Sequence, residues 1–332
     1  MNPEDSKAYI EWFRHSSPYI NAHRGKTFVL LLEGEAIEHE NFSNIIQDIA
    51  LLNSLGVKLV LVHGARPQIE NRLQRAGIKT NFHKGTRITC SEALDSVCEA
   101  SGYLRGHIEA LLSMGLPNSP MHLSHLKVCS ANVVVAKPKG IHDGVDFLHT
   151  GEVRKLDSQC IKELLNLNAV VLVSPLGYSP TGEIFNLQAS DVATEVATQL
   201  QADKLISFDE HTGLLDEQGK LLRELKLSEA SFLCENNKLG EQKASTQAII
   251  KACESGVERV QIISYKENGA LIKELFTRDG CGSLIYHDSY ESIRTATIDD
   301  IGGVLELIDP LEQQGVLVRR SRELLENEIT KF

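Results

Sequence analysis

A chain of 332 residues with 34 basic and 45 acidic side chains is long enough for one large or two medium domains. Its net charge of −11 argues against general affinity for nucleic acid or an anionic membrane surface, and 42% hydrophobic with 24% charged residues is the composition of a soluble globular protein. The opening MNPEDSKAY lacks the basic and apolar regions of a signal peptide, no run reaches the ~18 apolar residues of a membrane span, and the seven cysteines are dispersed without CxxC spacing, so reduced thiols and a cytoplasmic location are expected.

Tyr9, Trp12 and Phe13 fall at helical spacing and predict a helix over 6–20. Its apolar face covers either its own domain or a neighbouring subunit. Thr27–Leu32 reads as a strand running into the turn Glu33-Gly34-Glu35. Asn41 is expected to cap a helix through Phe42, Ile45, Ile46, Ile49 and Leu52, which Gly56 ends. Val57–Val62 is a β-branched strand, apolar but for Lys58, of the kind buried on both faces, and His63–Pro67 turns into a helix closed by Gly77. A long helix follows over about 91–113, then short alternating strands over 126–150 that suggest a hairpin excursion. His122 and His125 stand among Leu and Ser without a Cys or carboxylate partner, so they read as polar surface residues and no metal site is expected.

Strands at 169–173, 205–208, 260–264 and 283–286 then alternate with helices at 189–201, 245–255 and 268–276. That rhythm predicts an α/β fold with a doubly wound, mostly parallel sheet. From Thr297 a new helix carries Ile301, Leu305 and Ile308 on one face ahead of Pro310, and a second helix is expected at about 321–328.

The turn after the first strand is where a phosphate-handling sheet places glycines and a Lys. Here Leu31 stands at the position facing that task, and Glu33 precedes the single Gly34. Carboxylates repel phosphate at this range. The scaffold suits a sensor or a structural half more than a kinase. There is no Walker A sequence, no GxGxxG after a strand and no GxSxG elbow, so no catalytic residue is assigned.

Within Ser264–Ser283 a short helix brings Glu274 near the loop Gly280-Cys281-Gly282. Glycines let a ligand touch the backbone, and a carboxylate holds a guanidinium in a bidentate fork, which suits a free amino acid such as arginine. The bland alternative is an exposed Glu beside an ordinary turn. Arg87, just after a Gly turn, is either a clamp for a substrate carboxylate or a solvated charge, and Asn186 either lines a pocket or caps the following helix.

The runs Phe13–Asn21, Arg24–Phe28, Gly34–Phe42, Gly64–Ile69 and Asn268–Phe276 carry a resemblance to a known family. Residues 19–286 resemble the amino-acid-kinase fold, and the chain as a whole is similar to the bacterial N-acetylglutamate synthase family. That family joins a kinase-like, arginine-binding domain to an acetyltransferase domain of the GNAT type, which moves acetyl from acetyl-CoA to glutamate in arginine biosynthesis.

The resemblance implies an oligomerisation helix over 1–24, an arginine-binding kinase-like domain over 25–290 and the opening part of a GNAT domain over 294–332. Glu274 would meet the guanidinium, the Gly280–Gly282 backbone would hold the other end, and Tyr19 would close the pocket. Gly34, Arg66, Arg87 and Asn186 would be the remnant of a kinase substrate pocket. The implied partners are L-arginine as effector, L-glutamate and acetyl-CoA as family substrates, and further copies of the chain in a homo-oligomer.

The kinase's catalytic residues are replaced. Its first Lys aligns with Leu31, its glycine run with Gly64-Ala65-Arg66, its Asp with Ser190 beside Asp191, and its second Lys with Ala244 beside Lys243. Losing one preorganised charge of this kind costs ~10²–10³ in rate, so phosphoryl transfer is not expected. The acetyl-CoA loop of the GNAT fold is matched only by Thr277-x-x-Gly280-x-Gly282, in the wrong domain, so this stretch of chain is expected neither to hold a cofactor nor to acetylate glutamate alone. The competing expectation is a regulatory subunit that binds arginine and works with a separate acetyltransferase.

Overall fold

Thr27–Leu32 and Lys58–His63 pair in parallel at the centre of the computed structural model, each buried at five of its six positions. The structure describes residues 3–114, 126–236, 243–277, 279–287 and 301–313. Outward from this pair run Lys204–Asp209 and Arg259–Ser264 on one side, and Ala169–Val173 and Lys127–Ser130 on the other. Ser283–Tyr286 and Glu224–Lys226 complete an eight-stranded sheet in which only Arg259–Ser264 and Ser283–Tyr286 pair antiparallel.

Both faces of this sheet are covered, which explains strands without a polar side. Val29, Leu31, Val60 and Val62 point into one core beneath the helix Ala189–Leu200. Phe28, Leu30, Leu59 and Leu61 point into the other, shared with the helices Phe42–Ser54, Ser91–Ser113 and Ala270–Phe276. Each buried Leu or Val contributes ~1.5–3 kcal/mol. The doubly wound, mostly parallel architecture is therefore the one the sequence predicts.

Several expectations shift in detail. The excursion over 126–150 is split. Lys127–Ser130 joins the main sheet, and Val134–Pro138 belongs to a separate four-stranded sheet with Gly151–Leu156, Leu176–Tyr178 and Ile184–Asn186. Asn41 holds the N-cap position of its helix but makes no capping bond. Its amide instead donates to the Tyr265 carbonyl at 2.9 Å and accepts from Asn44, tying the helix to the loop after Arg259–Ser264. The helix Ile301–Gln313 runs through Pro310 rather than ending before it. A proline there removes one bond of the helical ladder and its ring crowds the carbonyl four residues earlier, a cost the helix carries. Thr297–Asp300, the second helix at 321–328, and His122 and His125 lie outside the described residues.

The N-terminal helix is longer than predicted, Pro3–His23 with Pro18 inside it. It docks through Ser16, Tyr19, Ile20 and His23, whereas Trp12 and Phe13 face solvent at 44% and 56% exposure. No helix among the described residues is long and apolar enough to cross a membrane.

Candidate functional site

At the carboxyl end of the central strands, the turn that handles phosphate in a kinase is filled from within. Leu31 is 1% exposed and belongs to the core. A Cβ at Gly34 would meet Gln68 Oε1 and Pro67 Cδ at 2.6 Å, and one at Gly64 would strike the Glu33 carboxylate. Burial first, then the charges of Glu35 and Asp209, push the Glu33 carboxyl up to about 7, with Arg66 opposing. A protonating acid lies where an anion would need cations.

Arg87 and Asn186, expected in a substrate pocket, are engaged by hydrogen bonds within the protein. Arg87 is neither solvated nor free, because its side chain is 6% exposed and bonds Glu70 Oε1 at 2.6 Å and Thr80 Oγ1 at 2.7 Å over the Phe82 ring. Asn186 is buried and donates to Thr89 Oγ1, which pairs with Thr150 Oγ1, and the N-cap of the next helix is Gln188. Arg66 is exposed and also lies over the Phe82 ring, 5.3 Å from its centroid. Gly34, Arg66, Arg87 and Asn186 thus stand in one region, each spoken for by protein contacts. Among the described residues, no group of three His, Cys, Asp or Glu could hold a metal.

The segment 264–283 is different, because it assembles charge. Glu274, on the helix Ala270–Phe276, accepts the backbone N–H of Cys281 at 2.8 Å and of Gly282 at 2.9 Å on Oε2, and the Gln261 amide at 2.7 Å on Oε1. The loop glycines are required. Gly280 has φ +58 and a Cβ there would lie 2.5 Å from Glu274 Oε2, and a Cβ at Gly282 would collide with the Ile262 carbonyl oxygen. The loop N–H groups therefore point at Glu274 itself and do not offer a free cradle for the far end of a ligand.

That far end has another candidate, which sequence reasoning missed. Lys204, 7% exposed, donates to Gln261 Oε1 at 3.3 Å and lies 5.7 Å from the Phe28 ring. No carboxylate stands within ion-pair distance of it among the described residues. Burial first, then the Arg259 charge, pull its ammonium down to about 8, against Glu274 and Asp203. A Lys at the first position of a strand looks like an ordinary solvated end. The better signal was Gln261, a polar side chain inside the apolar run Val260–Ile263.

The N-terminal helix closes this corner. His23 is buried, its Nε2–H donates to the Leu275 carbonyl at 2.8 Å, and its ring meets Phe28 and Phe276 edge-on. Burial and the Lys204 charge lower its pKa to about 4, so it is neutral at pH 7. Tyr19, one turn earlier, packs on the same core, which includes Leu271, Leu275 and, at its margin, Cys281. Burial followed by Glu274 pushes the Cys281 thiol up to about 12, which makes it inert.

A family model described as amino acid kinase family matches residues 26–264. An amino-acid acetyltransferase of Pseudomonas syringae pv. syringae is 55% identical over 324 residues, covering 98% of this chain and 75% of that protein. One from Azotobacter vinelandii is 54% identical with the same coverage. The solved N-acetylglutamate synthase from Neisseria gonorrhoeae complexed with coenzyme A and L-arginine is 34% identical, with a TM-score of 0.82 over 97% of this chain and 74% of that one. Carbamate kinase from Giardia lamblia, 17% identical with a TM-score of 0.59, shares the fold alone. A kinase-type sheet with Leu31 and Glu33 at its first turn, similarity to acetyltransferases over 98% of this chain and 75% of theirs, and a structural match to a synthase converge: the chain belongs to the N-acetylglutamate synthase family of amino-acid acetyltransferases.

Proposed function

We propose that this chain is the arginine-responsive part of an N-acetylglutamate synthase, binding L-arginine between Glu274 and Lys204. The observation that carries this reading is a carboxylate and a buried ammonium held one amide apart by Gln261, beside a glycine loop and the end of the N-terminal helix. Free arginine carries the complementary pair, a guanidinium for Glu274 and an α-carboxylate for Lys204. Glu274 has bonds to three donors and so keeps accepting capacity for a guanidinium. Tyr19 forms the wall toward the N-terminal helix, and Gly280 and Gly282 admit the loop close to the ligand.

The division of labour follows the family. Residues 1–24 serve assembly of a homo-oligomer, 25–290 sense arginine, and 294–332 open the acetyltransferase fold, to which transfer from acetyl-CoA to L-glutamate belongs. Phosphoryl transfer is set aside, because the turn at Glu33 and Gly34 holds acids where a phosphate needs positive charge. Calorimetric titration tests the reading. L-Arginine should release or absorb heat at millimolar concentration or below, and L-citrulline, which has the same length without the guanidinium charge, should bind at least about tenfold more weakly. No heat from arginine at tens of millimolar would overturn it.

A further inference from the structure

At the carboxyl ends of Lys127–Ser130 and Ala169–Val173, on the far side of the sheet from Lys204, lies a second cavity of about 150 Å³. Outside the carboxyl ends of parallel strands is where open α/β sheets bind ligands. Its polar lining is Ser130, Ser174, Arg105 and, at exposed positions, Asn132 and Tyr178, whose amide and hydroxyl can each donate or accept, and its apolar wall includes Val134, Leu172 and Leu176.

The hydrogen bonds behind this wall fix what it presents. His63 is fully buried at the end of Lys58–His63, and burial lowers its pKa to about 4, so the ring is neutral. Its Nδ1 stands 3.1 Å from the Gly64 carbonyl, which only accepts, so Nδ1 carries the proton. Nε2 is then bare and accepts the Ser174 hydroxyl at 2.9 Å. Ser130 likewise gives its hydroxyl hydrogen to Glu109 Oε1 at 2.7 Å. Both hydroxyls have spent their hydrogens away from the cavity and turn lone pairs toward it. The one cation is Arg105, whose side chain is 53% exposed and whose Nε forms a long i,i+4 ion pair with Glu109 at 3.9 Å without a hydrogen bond, which leaves its guanidinium donors for a ligand.

An anion alone would meet two acceptors and the nearby Glu109 charge, and a cation alone would meet Arg105. We propose that this cavity binds a small α-amino acid as its zwitterion, the ammonium against the Ser130 and Ser174 oxygens and the carboxylate against Arg105. The volume and the aliphatic wall select a short apolar side chain. The site is independent of the arginine reading, since it shares no residue with it.

L-Alanine is the probe, titrated into the whole chain by calorimetry with saturation-transfer NMR as a second readout. Binding at millimolar concentration is expected, with propionate and ethylammonium each at least about tenfold weaker because each lacks one charge. Ser174→Ala and Arg105→Gln should each weaken alanine about tenfold or more, and the second change lies at an exposed side chain that leaves the fold intact. Glu274→Gln and saturating arginine should leave alanine binding unchanged, which separates this site from the other. Absence of alanine binding, propionate binding as tightly as alanine, indifference to both substitutions, or loss of alanine binding in Glu274→Gln would each overturn the proposal.

Discussion

Lys204 is the residue whose ionisation governs the proposed arginine site. In the free protein its ammonium titrates near 8, because burial disfavours the charged form. An α-carboxylate placed against it favours the charged form and raises that value, so binding takes up a proton once the pH exceeds about 8. Arginine affinity should be flat below that point and fall toward tenfold per pH unit above it, until the bound-state value is passed. Calorimetry at pH 7, 8 and 9 in buffers of different ionisation enthalpy measures both the decline and the proton uptake. An affinity unchanged across that range would remove Lys204 from the site. Lys204→Met should weaken arginine about tenfold to a hundredfold and abolish the pH dependence without lowering stability, since an unpaired buried ammonium is itself costly. Gly282→Ala acts differently. Its Cβ meets the backbone oxygen of Ile262, so the loop must shift and take the Cys281 and Gly282 N–H groups off Glu274. Destabilisation of roughly 1–3 kcal/mol and lost arginine binding are expected together, read by thermal melting and titration.

At the scale of elements, the N-terminal helix depends on one neutral ring. The His23 pKa is about 4 in the folded chain against an ordinary 6.5, a lowered value, so its contribution is complete above 6.5 and is lost as the pH falls toward 4. At pH 5 the expected loss from this ring is about 2 kcal/mol, seen as a lower melting temperature, and His23→Gln, which keeps a donor for the Leu275 carbonyl, should remove that share of the acid sensitivity between pH 7 and 5 while the share of the buried His63 stays. A melting temperature that falls equally in wild type and variant would show that the ring is not the acid-labile contact. The strands and their glycine-terminated helices were legible because periodicity and turn chemistry act locally: Thr27–Leu32, the helix closed by Gly77 at φ +69 and the helix Ser91–Ser113 fall where the sequence puts them. What was not legible depends on contacts between distant residues. Asn41 has the composition of a cap, yet Tyr265, 224 positions away, takes its amide. Arg87 has the composition of a substrate clamp, and Glu70 has already claimed it. Glu274 could be named from its glycines, but its partner Lys204 is 70 residues upstream and only strand pairing brings the two together.

For the whole molecule, the question is what the outward face of the N-terminal helix does. Trp12 and Phe13 are about half exposed while the same helix docks its other face through Tyr19, Ile20 and His23 beside the proposed effector site. Exposed aromatics on one helix face cost free energy in water, and burial against a second copy recovers ~25 cal/mol per Å² of apolar surface. Because the docked face and the outward face belong to one rigid element, a ligand that tightens the corner at His23 biases how the outward face is presented. Coupling of this kind is reciprocal, so assembly must change arginine affinity by the same factor that arginine changes assembly. Light scattering coupled to size exclusion should show an oligomer for the wild type, and Trp12→Ser with Phe13→Ser should shift it to a smaller species. The same double variant should still bind arginine, with an affinity altered by the coupling factor, and arginine should no longer change its size. If the variant keeps both the wild-type mass and an arginine-dependent size, subunits meet elsewhere and the helix serves only to wall the effector site.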